Sequence, residues 1–414
     1  TAYVQETLSL IVATGFMMVK IEVSKMGVIS SVYSNGYSSL YHGDNREVLK
    51  SMPIESVQCV VTSPPYWGLR DYQIEGQLGL EPTPEEYVAN MVEVFREVWR
   101  VLNPTGTVWL NLGDSYAGST SLGRNDVDRK YPGSINKGLE AVHGTRQMPN
   151  GLKPKDLVGI PWRVAFALQA DGWYLRSDII WSKPNPMPES VTDRPTKAHE
   201  YIFLLTKSQR YYYDADAIRE PSNPHIGQVL SNRESGTGKA TGLHGQADRQ
   251  GNFKPDLLGR NKRSVWEITT QPYSEAHFAT YPEKLVEPCI LAGTPEKGVC
   301  AECKNPWERE ILLTRSDFRD DKGRTHSLAH QRMGKQPPPE KGWKSERETI
   351  GWKPMCGCNA NTVPATVLDP FVGSGTTCAV SQRLGRHSIG IDASAECLEL
   401  AKKRIGSVSL PMFA

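Results

Sequence analysis

The sequence predicts an α/β fold, a mostly parallel sheet flanked by helices and closed by an antiparallel hairpin. Three observations carry that prediction. Residues 57–61 form a short, β-branched apolar run that two prolines stop abruptly, so a buried strand ends on Thr62-Ser63-Pro64-Pro65-Tyr66-Trp67. Residues 365–377 read as strand, glycine turn and helix, with Gly373 and Gly375 permitting close backbone approach of a ligand. A further strand, 387–391, follows that helix and ends on Asp392.

The first strand end has a definite chemistry. Ser-Pro-Pro-aromatic presents a hydroxyl, two carbonyls and a flat ring at the carboxyl end of a strand, which suits a planar amine. Ser63 and the Pro64 carbonyl take the two hydrogens of an exocyclic NH2 and draw its lone pair out of conjugation, while Tyr66 or Trp67 stacks on the base. On the other stretch, an acid about 20 positions past a glycine loop is where nucleoside-binding α/β units hold a ribose hydroxyl, and Asp392 occupies that place. Cys378 stands where the dinucleotide fingerprint has its third glycine, which counts against NAD.

With both motifs present, the chain resembles the β group of amino-methylating DNA methyltransferases, over most of its length from about residue 39. Ser63, Pro64, Pro65 and Tyr66 resemble the catalytic motif of that family. Asp369, Phe371, Gly373, Ser374, Gly375 and Thr376 resemble its cofactor loop, and Asp392 its ribose-binding acid. By the same resemblance, Asp44 lies near the adenosine end of the cofactor and Tyr281 beside its methionine portion. The resemblance implies a Rossmann-like methyltransferase sheet, S-adenosylmethionine as methyl donor, double-stranded DNA as substrate, base flipping and direct in-line transfer. Ser-Pro-Pro forms of the motif lean towards cytosine N4, and Asp- or Asn-Pro-Pro forms towards adenine N6; adenine stays open. A companion restriction endonuclease would fit such an enzyme, and the oligomeric state is not fixed.

Composition sets outer bounds. The 414 residues include 48 Lys and Arg against 46 Asp and Glu, a formal charge of +2, so DNA affinity has to come from local basic patches. The eight cysteines do not form a disulfide framework and no secretory signal is evident, which points to a reducing cytoplasm. The apolar run over 8–19 is too short to span a bilayer and reads as a strand, a packing arm or an extended start, so no membrane is implied.

The elements follow in order. Asp44 precedes a helix over 46–52 and suits its N-cap as well as a cofactor role. Thr83-Pro84-Glu85-Glu86 combines an N-cap, a first-turn proline and a capping-box glutamate, and Tyr87, Met91, Phe95, Val98 and Leu102 recur at helical spacing behind it. A strand over 107–112, a long loop over 115–153, a helix over 161–170 and a strand over 174–181 come next. Residues 199–207 read as a strand that pairs with Tyr211-Tyr212-Tyr213 in the closing hairpin. His199 and Glu200 suggest an acid–base pair, yet amine methylation needs no strong base, so a structural role is expected for them. A helix over 282–292 encloses Pro288-Cys289, which reads as a buried thiol rather than a nucleophile. The last helix spans 395–405.

Two regions stand apart. Periodicity disappears over 214–264, the candidate target-recognition region, where Arg260, Asn261, Lys262 and Arg263 are expected on phosphates. Cys300, Cys303, Cys356 and Cys358 bracket a basic insertion and suit a structural zinc ion, with His326 and His330 as alternative ligands. The expected division is 1–38, an N-terminal extension; 39–213, the catalytic half; 214–264; 265–299, the helix leading into the cofactor half; 300–358, a zinc-ribbon-like insertion; and 359–414, the cofactor half. A rival from another class, a non-catalytic zinc-bearing DNA-binding protein on a decayed methyltransferase fold, is opposed by the intact motifs. RNA or protein amides are alternative acceptors, and the long recognition segment favours duplex DNA over them.

Overall fold

The computed structural model describes residues 2–14, 17–69, 71, 76–117, 151–221, 260–271, 280–315, 318–319, 325–326 and 345–409. They divide into two compact units, one of residues 1–213, 264–306 and 355–414, the other of 214–263 and 307–354. The first unit is built on a nine-stranded sheet. Its strands are β1 (Tyr33–Ser34), β2 (Ser38–His42), β3 (Val57–Thr62), β4 (Leu102–Leu112), β5 (Tyr174–Ser182), β6 (His199–Thr206), β7 (Val265–Glu267), β8 (Thr366–Asp369) and β9 (His387–Asp392), in the spatial order β1-β2-β9-β8-β3-β4-β6-β5-β7.

The five strands β2, β9, β8, β3 and β4 are mutually parallel, and β6 runs against both β4 and β5. Registers of Asp392 opposite His42 and Thr62 opposite Leu110 bring the carboxyl ends of these strands to one edge. Because β6 is antiparallel, its amino end, His199 and Glu200, lies at that same edge, with Tyr201 opposite Leu112. The sheet therefore gathers chain ends from both halves of the sequence, as expected of a Rossmann-like fold.

The helices are α1 (Asn45–Ser51), α2 (Pro84–Val101), α3 (Ile160–Ala170), α4 (Glu283–Gly293), α5 (Thr376–Arg383) and α6 (Ala395–Gly406). Helix α2 forms for the local reasons read from its sequence. The Thr83 hydroxyl accepts from the Glu86 N–H at 3.2 Å, Pro84 sits in the first turn, and Tyr87, Met91, Val94, Phe95, Val98 and Val101 are buried. Each such side chain removed from water contributes about 1.5–3 kcal/mol. With α1 and α3 these residues make one core on the sheet, whereas α5 and α6 close a smaller one around Leu40, Val372, Leu398 and Ile405. Cys289 of α4 is a buried thiol hydrogen-bonded to the Leu285 carbonyl, as expected.

Two expectations are corrected, and one left open is resolved as a strand. The closing antiparallel pair is β5 with β6; Tyr211-Tyr212-Tyr213 forms no strand. The Tyr212 N–H goes to the Thr105 carbonyl and its side chain is buried, while the exposed Tyr213 ring stacks on Trp109, so contacts to β4 rather than strand pairing hold that segment. β4 also begins directly at Leu102 rather than at Thr107, with Asn103 Oδ1 accepting from the Thr105 N–H and hydroxyl within the strand. The N-terminal run lies in an antiparallel pair, Ala2–Thr14 with Met17–Ile29. Most of the expected loop over 115–153 lies outside the described residues. Among the described residues, no helix is long and apolar enough to cross a membrane.

In the second unit, strand Trp307–Arg315 pairs with Ser345–Pro354. Arg309 there donates to the buried Asp214 carboxylate at 3.0 Å and lies over the Trp352 ring.

Candidate active site

The catalytic-motif loop leaves β3 at Thr62, and the glycine turn leaves β8 at Asp369, on adjacent parallel strands. The Thr62 hydroxyl donates to Asp369 Oδ1 at 2.7 Å, joining two residues 307 positions apart. Asp369 is fully buried and also accepts from the Phe371 N–H at 3.1 Å and the Tyr281 hydroxyl at 2.8 Å. Thr377 hydrogen-bonds the same Tyr281 hydroxyl and donates to the Val61 carbonyl at 3.1 Å. Burial pushes the Asp369 carboxyl above its usual range, against the pull of the hydroxyls that bind it.

The glycine turn is shaped by its neighbours. Gly375 has φ +80°, and a Cβ there would come within 2.8 Å of the Ala401 backbone, so α6 packs directly on the turn. Asp392, at the end of β9, accepts from the Gly373 N–H at 2.9 Å and the Ser394 N–H at 2.8 Å, and burial pushes its carboxyl up to about 6. The hydroxyls of Ser374 and Thr376 face Arg404 of α6, at 3.2 and 2.8 Å. Phe371 and Gly373 remain part-exposed. Asp44 caps α1 by accepting from the Arg46 N–H, and the Arg46 guanidinium holds its carboxyl below the usual range. Thus Tyr281, Asp369, Phe371, Gly373 and Asp392 come together around one turn.

On the β3 side the ring of Tyr66 lies against Gly113, where a Cβ would sit 2.5 Å from it, so glycine is required at the end of β4. The Tyr66 hydroxyl accepts from Ser63 Oγ at 3.3 Å and lies 2.8 Å from Glu200 Oε2 and 3.1 Å from Asn111 Oδ1. Burial and the Glu200 carboxylate hold the phenol above its usual value. The Lys183 ammonium pairs with Glu200 and lies over the Trp181 ring. Pro65 is braced by its carbonyl, which accepts from the Tyr87 hydroxyl at 2.9 Å. Trp67 is not a stacking ring: it is buried, and its indole N–H donates to the Glu81 carbonyl at 2.9 Å.

Sequence reasoning missed Thr62, Thr377, Asn111 and Lys183, and gave Glu200 no place at the site. None carries a local signal, because each acts through a partner on a different strand or helix. His199 is not paired with Glu200; its ring meets Tyr201 edge-on.

Away from the sheet edge, the sulfurs of Cys300, Cys303, Cys356 and Cys358 all lie within 4.8 Å of one another. Two short antiparallel strands, Val299–Cys300 and Thr362–Val363, hold the cluster, and Lys304 and Asn359 adopt positive φ just after each cysteine pair. The side chain of His326 and the whole of His330 lie outside the described residues. In the second unit the cations expected on phosphates surround one acid: Arg260, Lys262 and Arg263 lie 3.2, 3.7 and 3.6 Å from the Glu220 carboxylate. Residues 222–259 of the candidate recognition region lie outside the described residues.

Comparison with known proteins follows the same outline. Residues 57–302 and 362–403 match the N6/N4 family model described as DNA methylase. The chain is 37% identical over 385 residues to the type II methyltransferase M.Cfr9I of Citrobacter freundii, covering 93% of both chains. It is 39% identical over 365 residues to the type II methyltransferase M.SmaI of Serratia marcescens, covering 88% of this chain and 89% of that protein. Among solved structures, the PvuII DNA methyltransferase (cytosine-N4-specific) aligns with a TM-score of 0.49 at 17% identity, over 92% of this chain and 90% of the other. The family match spans both the Ser63–Tyr66 loop and the glycine turn that the Thr62–Asp369 hydrogen bond joins, and the chain belongs to the N6/N4 DNA methylase family.

Proposed function

We propose that the chain methylates the exocyclic N4 of cytosine in duplex DNA, on a base rotated out of the helix, using S-adenosylmethionine. The observation that supports this most directly is the Thr62–Asp369 hydrogen bond, which sets the amine-binding loop beside the glycine turn. The turn suits the methyl donor: Phe371, Gly373 and Asp392 are part-exposed, and Asp369 and Asp392 bond only uncharged donors. Among the described residues neither carboxyl hydrogen-bonds a cation, although the His42 charge acts on Asp392, and a ligand that is itself a cation is favoured beside them. Asp392 and Asp44 are assigned to the nucleoside end, and Tyr281 to the methionine end.

When bound, S-adenosylmethionine supplies an electrophilic sulfonium methyl. Ser63 Oγ and the Pro64 carbonyl accept the two amine hydrogens, and the Tyr66 ring covers the base. Positioning accounts for most of the rate, since well-aligned intramolecular reactions gain roughly 7–11 kcal/mol. Extruding the base costs a few kcal/mol, offset by stacking and by phosphate contacts. Serine at position 63 favours cytosine, and adenine N6, which offers the same pair of hydrogens, is the second reading. Mass spectrometry of nucleosides from DNA incubated with the protein and S-adenosylmethionine should show N4-methylcytosine; N6-methyladenine alone would replace the first reading with the second.

The four-cysteine cluster is assigned a structural zinc ion. The donor set fits: four thiols converge, and tetrahedral Zn–S bonds of about 2.3 Å need sulfurs about 4 Å apart. Metal analysis of the purified chain should give one zinc per molecule, lost in C356S together with thermal stability.

A further inference from the structure

The Ser63 hydroxyl has one proton and two lone pairs, and only the lone pairs serve an amine hydrogen. Which of them faces outward is decided by the hydrogen bonds behind it. The Tyr66 hydroxyl is bounded by Glu200 Oε2 at 2.8 Å and Asn111 Oδ1 at 3.1 Å. Asn111 Nδ2 is itself committed to Glu200 Oε2 at 3.2 Å and the Tyr201 carbonyl at 3.1 Å, which fixes the amide with its oxygen towards Tyr66. Both neighbours are acceptors, so the single Tyr66 proton is used there. The phenol oxygen then accepts from Ser63 at 3.3 Å, which uses the single Ser63 proton. What remains on Ser63 is acceptor capacity alone.

The arrangement depends on three strand ends. Antiparallel pairing sets Asn111 opposite Ile202 and Trp181 opposite Glu200. Lys183, just past β5, pairs with Glu200 and keeps an acceptor-only carboxylate at the end of the relay. Gly113 leaves room for the Tyr66 ring to reach it.

We propose that Glu200, acting through Tyr66, is a positioning residue that makes Ser63 an obligate acceptor and so orients the target amine. This rests on the reading of Ser63 as the partner of the amine. A carboxylate or amide oxygen at position 63 would need no such relay; a serine hydroxyl does, because it rotates.

The test is single-turnover methylation of duplex DNA by the full chain with labelled S-adenosylmethionine, comparing E200Q, Y66F, S63A and the doubles S63A/E200Q and S63A/Y66F. E200Q and Y66F should each slow transfer about tenfold, the worth of one oriented hydrogen bond, with DNA and S-adenosylmethionine affinities within about twofold of wild type. In the S63A background the same substitutions should slow it by less than about twofold, because no hydroxyl is left to orient. Equal losses in both backgrounds, or unchanged rates in the single variants, would overturn the role of Glu200. An S63A protein with the wild-type rate would instead overturn the reading of Ser63 itself. Y66F leaves the Lys183–Glu200 pair intact, so it decides the matter should E200Q melt early.

Discussion

The two halves of the sheet edge hold their carboxyl groups in opposite ways. Around the glycine turn, Asp369 and Asp392 bond, among the described residues, only hydroxyls and backbone N–H groups, and burial raises both. Around Ser63, Glu200 is paired with Lys183 and its charge is balanced on the spot. A buried acid with neutral partners keeps either a proton or an unneutralised field, whereas a paired acid supplies a fixed acceptor. The first arrangement suits a cationic ligand, and the second suits a neutral amine whose hydrogens need aiming.

The sharpest way to break that contrast is at Asp369. D369A would leave the Thr62 hydroxyl, the Tyr281 hydroxyl and the Phe371 N–H without their acceptor. At about 1–3 kcal/mol for each buried donor left unmade, urea unfolding should show a loss of at least about 3 kcal/mol, with methylation abolished. A loss under about 1 kcal/mol would mean that the carboxyl does not organise the turn.

A smaller effect follows from the protonation of Asp392. Its folded value of about 6 lies above the ordinary 3.8, so between those values the folded chain holds a proton that the unfolded chain has released. That stability is fully present below about pH 4 and is lost as the pH rises through 6, with a magnitude of roughly 2–3 kcal/mol. Urea unfolding between pH 4.5 and 7 should show this decline in the wild type, and D392N should flatten it. Parallel pH profiles in the two proteins would remove Asp392 from the contrast.

The smallest expected effect lies in the two tyrosines. Y281F removes one hydrogen bond to Asp369 and should cost about 0.5–1.5 kcal/mol of stability. Y66F should leave the melting temperature close to wild type and act on the rate. If Y66F proved the more destabilising of the two, the charge-balanced half would be the structural one.

Much of the site was legible because its parts are local. Ser63–Tyr66 announces itself through two prolines that end a strand, and Gly373–Gly375 through a turn that α6 approaches too closely for any Cβ. Helix α2 was readable down to its Thr83 cap. The tyrosine run at 211–213 misled for a related reason: aromatic, strand-forming residues look alike whether they pair with a neighbour or, as here, lay a ring on Trp109.

By itself the sequence determined which segments end where, since prolines, glycines, caps and apolar spacing act within a few residues. Only the tertiary structure decided that Thr62 meets Asp369 and that Tyr66 meets Glu200. Those contacts depend on which strands lie side by side and in which direction, and strand order is settled by the burial of whole faces. Glu200 shows the difference most plainly: an acid at the start of a strand becomes part of the site because that strand is antiparallel, which turns its first residues towards the edge where the parallel strands finish.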